Sequence, residues 1–265
     1  MTIARTGIAP TLSLMAALAT ATASTAAPVS LTATGSTYTE NFTTLSKTVA
    51  STALPTGWAI AETGTSANAS YTPDAGALAT GDTYSYGNGA QRALGSLQST
   101  TLTPMFGVGF SNDTGVTLTS LQIAFTGEQW RLGALGRLDK LDFQYSTDAT
   151  SLTTGNYLDF DGLDFVAPKT GPSVGALNGQ AAGNRVGLSA LLAGLNIASG
   201  STFWLRWTDF NATGADDGLA VDDFALTANG PATDGAATNR VPEPGTLALV
   251  GIALLGLARA RRGRP

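Results

Sequence analysis

The side chains best suited to chemistry in this chain are its acids, because the sequence holds neither Cys nor His. Zinc centres built on those ligands, Ser-His-Asp triads, Cys-His dyads and histidine acid–base catalysis are therefore excluded. Carboxylates, Tyr, Lys or a hard metal ion remain. The acids crowd the segment Asp216-Asp217-Gly218-Leu219-Ala220-Val221-Asp222-Asp223-Phe224. On a strand that starts at Ala220, residues Asp222, Phe224 and Leu226 share a face. If Phe224 and Leu226 point into the core, Asp222 follows them, and a buried carboxylate needs a cation or several donors. Ca²⁺, with its all-oxygen coordination, suits such a place. An ion pair with Arg206 or Arg131, or a loop of solvated acids, is the alternative.

A second concentration is Gly127-Glu128-Gln129-Trp130-Arg131. A sugar ring could stack on Trp130 while Glu128 and Arg131 bond its hydroxyls. Equally, Trp130 could cap the core while Glu128 pairs with Arg131. Trp204 and Trp207 point to opposite faces of one strand, so one is core and the other is a glycan platform or lies under a loop. Glycoside hydrolysis needs two carboxylates at a set separation. Glu128 with Asp209 or Asp222 is the pair available, and a carboxylate-based glycan hydrolase of the cell envelope is the alternative to a non-catalytic role.

The elements that must position these residues read as strands. Leu121, Ile123 and Phe125 alternate with polar or small residues, as do Leu141, Phe143 and Tyr145, and Phe203, Leu205 and Trp207. Val116 and Leu118 lie out of phase with Leu121, which predicts a bulge near Thr119-Ser120. Shorter strands fit Trp58–Ala61, Met105–Phe110, Tyr157–Phe160 and Gly218–Ala228, and Leu188–Leu195 reads as a strand rather than a helix. The 32 glycines and turn clusters such as Asn211-Ala212-Thr213-Gly214 punctuate them. The expected fold is all-β, an antiparallel two-sheet sandwich over residues 28–230.

Charge narrows the partners. Setting aside Arg5, the four arginines at the far end and Glu243 leaves nine basic residues against 18 acidic ones. Such an acidic body repels nucleic acid and anionic head groups. It tolerates neutral polysaccharide or Ca²⁺.

The two ends have a different character. Residues 1–27 order a basic start at Arg5, an apolar stretch from Ile8 to Leu18 and small-residue cleavage sites before Pro28, as a secretory signal does. Residues 231–240 are a small polar linker. Residues 241–265 hold Val241-Pro242-Glu243-Pro244, an apolar run from Thr246 to Ala258, and a basic end with Arg259, Arg261, Arg262 and Arg264. As a helix the apolar run spans only about 20 Å, short of a hydrocarbon core of about 30 Å. Snorkelling arginines extend its reach, and they belong on the cytoplasmic side.

This tail closely resembles the PEP-CTERM sorting tail of Gram-negative bacteria, with Val241, Pro242, Glu243 and Pro244 as its motif. The resemblance implies a short membrane-spanning helix, passage through the inner membrane, and recognition by an exosortase-type peptidase in organisms that make exopolysaccharide. The segments GDTYSYG (81–87), RALGSL (92–97), TGEQWR (126–131) and FWLRWTDF (203–210) are similar to bodies of other PEP-CTERM proteins. The 216–227 segment is similar to the last strand of lectin-like and MAM-like jelly rolls. That similarity implies a structural Ca²⁺ between first and last strands, held by Glu40 with Asp222 and Asp217. The expectation is an exported, non-catalytic surface or matrix protein, structural or glycan-binding.

Overall fold

The computed structural model describes residues 27–231, so the signal segment and the tail with its apolar run lie outside the described residues. Among the described residues fifteen strands form two sheets, in keeping with a chain rich in Thr and poor in Glu and Lys. They are β1 (Val29–Leu31), β2 (Thr37–Glu40), β3 (Trp58–Thr63), β4 (Tyr71–Asp74) and β5 (Asp82–Tyr86). Next come β6 (Ala93–Leu97), β7 (Thr103–Asn112), β8 (Leu118–Leu132), β9 (Lys140–Ser146) and β10 (Leu158–Asp159). The last five are β11 (Phe165–Val166), β12 (Gly175–Ala176), β13 (Arg185–Ile197), β14 (Thr202–Asp209) and β15 (Gly218–Asn229).

The first sheet runs β1-β7-β14-β9-β10, with β3 beside β7 and β11 beside β9. The second runs β12-β8-β15-β6-β5-β4, with β13 beside β8 and β2 beside β15. Most ladders are antiparallel and join strands distant in sequence, with β5–β6 a local hairpin, whereas β1–β7 and β4–β5 are parallel. The fold is thus the expected all-β sandwich. Leu188–Leu195 lies within a strand, β13. Its ladder with β8 is irregular between Ala193 and Ile197, opposite Ser120 and Leu118, where the phase mismatch called for a bulge. The Tyr157–Phe160 stretch keeps only two strand residues, Leu158 and Asp159.

The inner faces meet around Trp207 of β14, which is fully buried. Its indole stacks near Trp58 and Phe106, with centroids 6.0 and 5.8 Å away. Phe125, Phe143 and Phe224 meet it edge-on at 5.2, 5.2 and 5.8 Å. Rings from five strands of both sheets therefore share one centre, a geometry that aromatic quadrupoles favour. Trp58 Nε1 donates to Tyr38 Oη at 3.1 Å, whereas the buried Trp207 Nε1 finds no acceptor among the described residues. Packing holds Trp207 in place at the cost of one unmade hydrogen bond.

Because Trp207 ties both sheets together, Trp207→Ala should cost about 3–5 kcal/mol. That is a large part of the total stability of a domain. Chemical denaturation of the purified chain followed by Trp fluorescence checks this, and a loss under about 1 kcal/mol would contradict the assigned hub.

Candidate functional site

Both tryptophans proposed as glycan platforms are closed off. Trp204 is 2% exposed on the outer face of the first sheet, beneath a loop that brings Ala149, Leu152 and Tyr157 over it. A Cβ at Gly109 would lie 2.7 Å from its ring, so glycine there makes room for the indole. Trp130 is fully buried on the outer face of the second sheet, stacked on Tyr86 at 5.9 Å and packed with Tyr84, Ala93, Leu97 and Ala220. The chain at Gly179 crosses its indole so closely that a Cβ would sit 2.4 Å from Nε1. Each sheet thus buries aromatics on both faces, and neither Trp130 nor Trp204 offers a ring to a surface ligand.

Glu128 and Arg131 are committed inwardly as well. Trp130 Nε1 donates to Glu128 Oε2 at 2.9 Å, so Glu128 pairs with the indole and not with Arg131. Arg131 Nη1 donates to the carbonyls of Gly76 and Ala77, both at 3.1 Å. Burial pushes the Glu128 carboxyl up, its Trp130 hydrogen bond and nearby Arg185 pulling the other way. Asp209 and Asp222 are also buried. No member of the pairs considered for glycoside hydrolysis reaches the surface.

The Ca²⁺ ligand set needs a larger correction. In β15, Leu219 and Val221 point into the core, and so do Phe224 and Leu226. Strict alternation forbids that combination. The register against β8 shifts between Asp222 and Ala225, and Asp223 takes a left-handed φ of +48°. This one-residue bulge reverses the phase. Asp222 consequently lies on the outer face with Ala220, not in the core. Its Oδ1 accepts the Asp223 N–H at 2.8 Å. Burial pushes its carboxyl up to about 7, with Asp223 and Glu128 adding to the rise. Asp217 lies five residues earlier on an extended chain, about 16 Å away. The three acids do not converge.

The bulge builds something else. Glu40 of β2 pairs with Phe224, and an open cleft beside them is lined by Thr39, Glu40, Asn41, Thr44, Asp223 and Phe224. Glu40 Oε1 accepts the Phe42 N–H at 2.7 Å, and Phe42 itself has a φ of +55°. A left-handed conformation is costly for a bulky residue, and two such residues flank one cleft. Asn41 Oδ1 accepts from the Thr43 hydroxyl at 2.9 Å and turns the chain at the cleft wall. Carboxylate, amide and hydroxyl groups supply the side-chain polarity here, without a basic group. Oxygen ligands of this kind are the sort a hard cation takes, and of the three acids expected to hold one only Glu40 lines this cleft. The missed residues were Asp223, Asn41 and Thr44. The phase conflict between Val221 and Phe224 was the sequence signal for Asp223.

A separate polar network occupies the sheet end that Asp217 belongs to. Arg137 pairs with Asp139 at 2.9 Å and Asp217 at 3.4 Å, and also donates to the Ala215 carbonyl. Asp217 accepts from Gly133 N–H and Gln129 Nε2, both at 2.7 Å. Asp209 Oδ2 accepts from Ser96 Oγ at 2.8 Å, while Oδ1 is buried without a partner among the described residues. Burial drives Asp216 and Asp217 up to about 6 and holds Asp209 and Asp139 above the usual carboxylate range. Another trio, Asp142, Asp159 and Asp164, lies close together on the first sheet. There Lys140 Nζ contacts Asp142 and Asp164, each at 2.6 Å, and supplies the counter-charge.

Raised carboxyls make the folded state bind protons more tightly than the unfolded chain does. Their contribution is complete below a pH of about 4 and is lost as pH rises through 6 and 7. The exposed Asp113 and Asp148 are shifted down by serine hydroxyls and oppose this. Seven buried acids shift up against those two: Glu62, Glu128, Asp139, Asp209, Asp216, Asp217 and Asp222. The melting temperature should therefore be higher at pH 4.5 than at pH 7.5, by about 5 °C or more. A melting temperature that falls on acidification would contradict the network as described.

Comparison with known proteins adds information chiefly about the tail. The PEP-CTERM protein-sorting motif matches residues 240–262. No curated protein matches the chain. Among solved structures, the chain is similar to the CBM22-1 xylan-binding domain from Paenibacillus barcinonensis Xyn10C. The identity is 13% and the TM-score 0.35, over 76% of this chain and 99% of that one. It is also similar to the enzymatically active domain of tailspike protein 4 from bacteriophage CBA120, at 11% identity and a TM-score of 0.36. That match covers 65% of this chain and only 19% of the tailspike chain. A third likeness, to a TmCBM61 structure in complex with beta-1,4-galactotriose, has 12% identity and a TM-score of 0.30 over 55% of this chain and 75% of that one. Residues 240–262 thus carry a PEP-CTERM protein-sorting motif, which indicates export and sorting to the cell envelope or surface and implies an exosortase as the sorting partner.

Proposed function

We propose that the β-sandwich is a non-catalytic component of the cell surface or its exopolysaccharide matrix, and that it binds glycan through the cleft beside Glu40 and Asp223. The cleft carries this reading. Its lining of Thr39, Glu40, Asn41, Thr44 and Asp223 offers hydroxyl, amide and carboxylate groups that pair with sugar hydroxyls. An acidic lining of this kind disfavours anionic ligands and accepts neutral ones. A Ca²⁺ held by Glu40 and Asp223 would neutralise the two carboxylates and present further coordination positions to a sugar hydroxyl. The inward commitment of Glu128, Asp209 and Asp222 favours binding without hydrolysis.

The test is calorimetric titration of the purified chain with a panel of neutral polysaccharides, in Ca²⁺ and in EGTA, with reducing ends followed in parallel. Saturable binding is expected, weakened about tenfold or more by Glu40→Gln or Asp223→Asn, with no reducing ends released. Binding that both variants retain in full would remove the cleft from the account. Release of reducing ends would replace the reading with that of a hydrolase.

A further inference from the structure

A long strand with a free edge is a hazard that proteins normally blunt with charge, proline or brevity. The other free edges here obey that rule. β4 is four residues long and holds Pro73 and Asp74; β3 is six residues long and holds Glu62; β1 has three residues. β13 does not obey it. It runs 13 residues, pairs only with β8 among the described residues, and after Arg185 reads VGLSALLAGLNI without a charge or a proline. The one charge, Arg185, sits opposite Glu128 across the ladder to β8 and is offset there. Along this edge Val186 and Leu191 are 41% and 53% exposed.

We propose that β13 is a homotypic interface. Two copies of the chain pair β13 with β13, antiparallel, about a two-fold axis through Ser189, and their eight-stranded sheets become one continuous sheet. The strand's own pattern favours a second copy over an unrelated strand. β13 pairs regularly with β8 from Arg185 to Ala193, and Ser189 is the midpoint of that span. An isologous pair about Ser189 places Leu191 opposite Gly187 of the second copy on the outer face. Leu188 then meets Ala190 on the inner face, and Arg185 meets Ala193. Large side chains face small ones at these positions, and no like charges meet. Backbone N–H and C=O groups along the edge, now facing solvent, would complete the ladder. Leu188 and Ala190, which pack only partly buried against the core, would gain cover from the second copy.

Because the chain has no Cys, introduced cysteines report on this interface without background. The full chain in detergent should be dimeric by light scattering, and Leu191→Lys should weaken dimerisation about tenfold or more. Under mild oxidation Ser189→Cys should give a covalent dimer, since residues meeting on the axis lie about 5 Å apart between Cα atoms. Leu191→Cys should not, because the two copies of residue 191 would be about 13 Å apart. A monomeric chain would overturn the proposal, and so would a dimer that survives Leu191→Lys, as one formed through the tail would. Crosslinking that is greatest at another of positions 187, 191 or 193, or no stronger at Ser189→Cys than at the exposed control Thr65→Cys, would overturn it too.

Discussion

The bulge at Asp222-Asp223 is the constraint on which both faces of the second sheet depend. Before it, Leu219 and Val221 point inward and Ala220 packs outward against Trp130 and its neighbours. After it, Phe224 and Leu226 point inward, and Phe224 reaches Trp207 and Trp58. Without the extra residue a one-position slip would turn half of β15 inside out. The left-handed Asp223 is the cost of this reversal. Its side chain is thereby expelled to the surface beside Glu40. The same local distortion that closes the core creates the cleft.

A second consequence is that apolar material lies on both faces of each sheet. The central core fills the gap between sheets, while smaller clusters around Trp204 and Trp130 lie outside it under crossing loops. Close approach is made at glycines, at Gly179 where the chain crosses Trp130 and at Gly109 of β7, which lies across the ladder from Trp204 and makes room for its ring. A glycine-rich, weakly charged composition therefore serves layer thickness as well as turns. It also accounts for buried acids on those faces, since covering the outer face of the second sheet encloses Glu128 and Asp222.

The sequence was a good guide wherever information was local. Alternation placed the strands at Leu121–Phe125, Leu141–Tyr145 and Phe203–Trp207, and the opposite orientations of Trp204 and Trp207 followed from period two alone. The sorting motif is linear and needs no fold to be recognised. Burial of Trp204 and Trp130 was not legible, because the covering chain comes from segments about 47 to 55 residues away that show no regular apolar periodicity. The placement of Asp222 failed for a different reason. Unbroken alternation was assumed across a segment whose apolar residues change phase between Val221 and Phe224. The similar mismatch between Leu118 and Leu121 pointed to the right place but the wrong strand, because the extra residues lie in β13 between Ala193 and Ile197, and not in β8.

The phase reversal at Asp223 can be tested directly by comparing melting temperatures of Asp223→Gly and Asp223→Val. Glycine accepts the left-handed backbone without penalty, so Asp223→Gly should match or exceed the unmodified chain. A β-branched residue resists that conformation, so Asp223→Val should cost about 1–2 kcal/mol. If valine is tolerated as well as glycine, Asp223 is not held in a left-handed bulge, and the account of how β15 joins the core to the cleft is wrong.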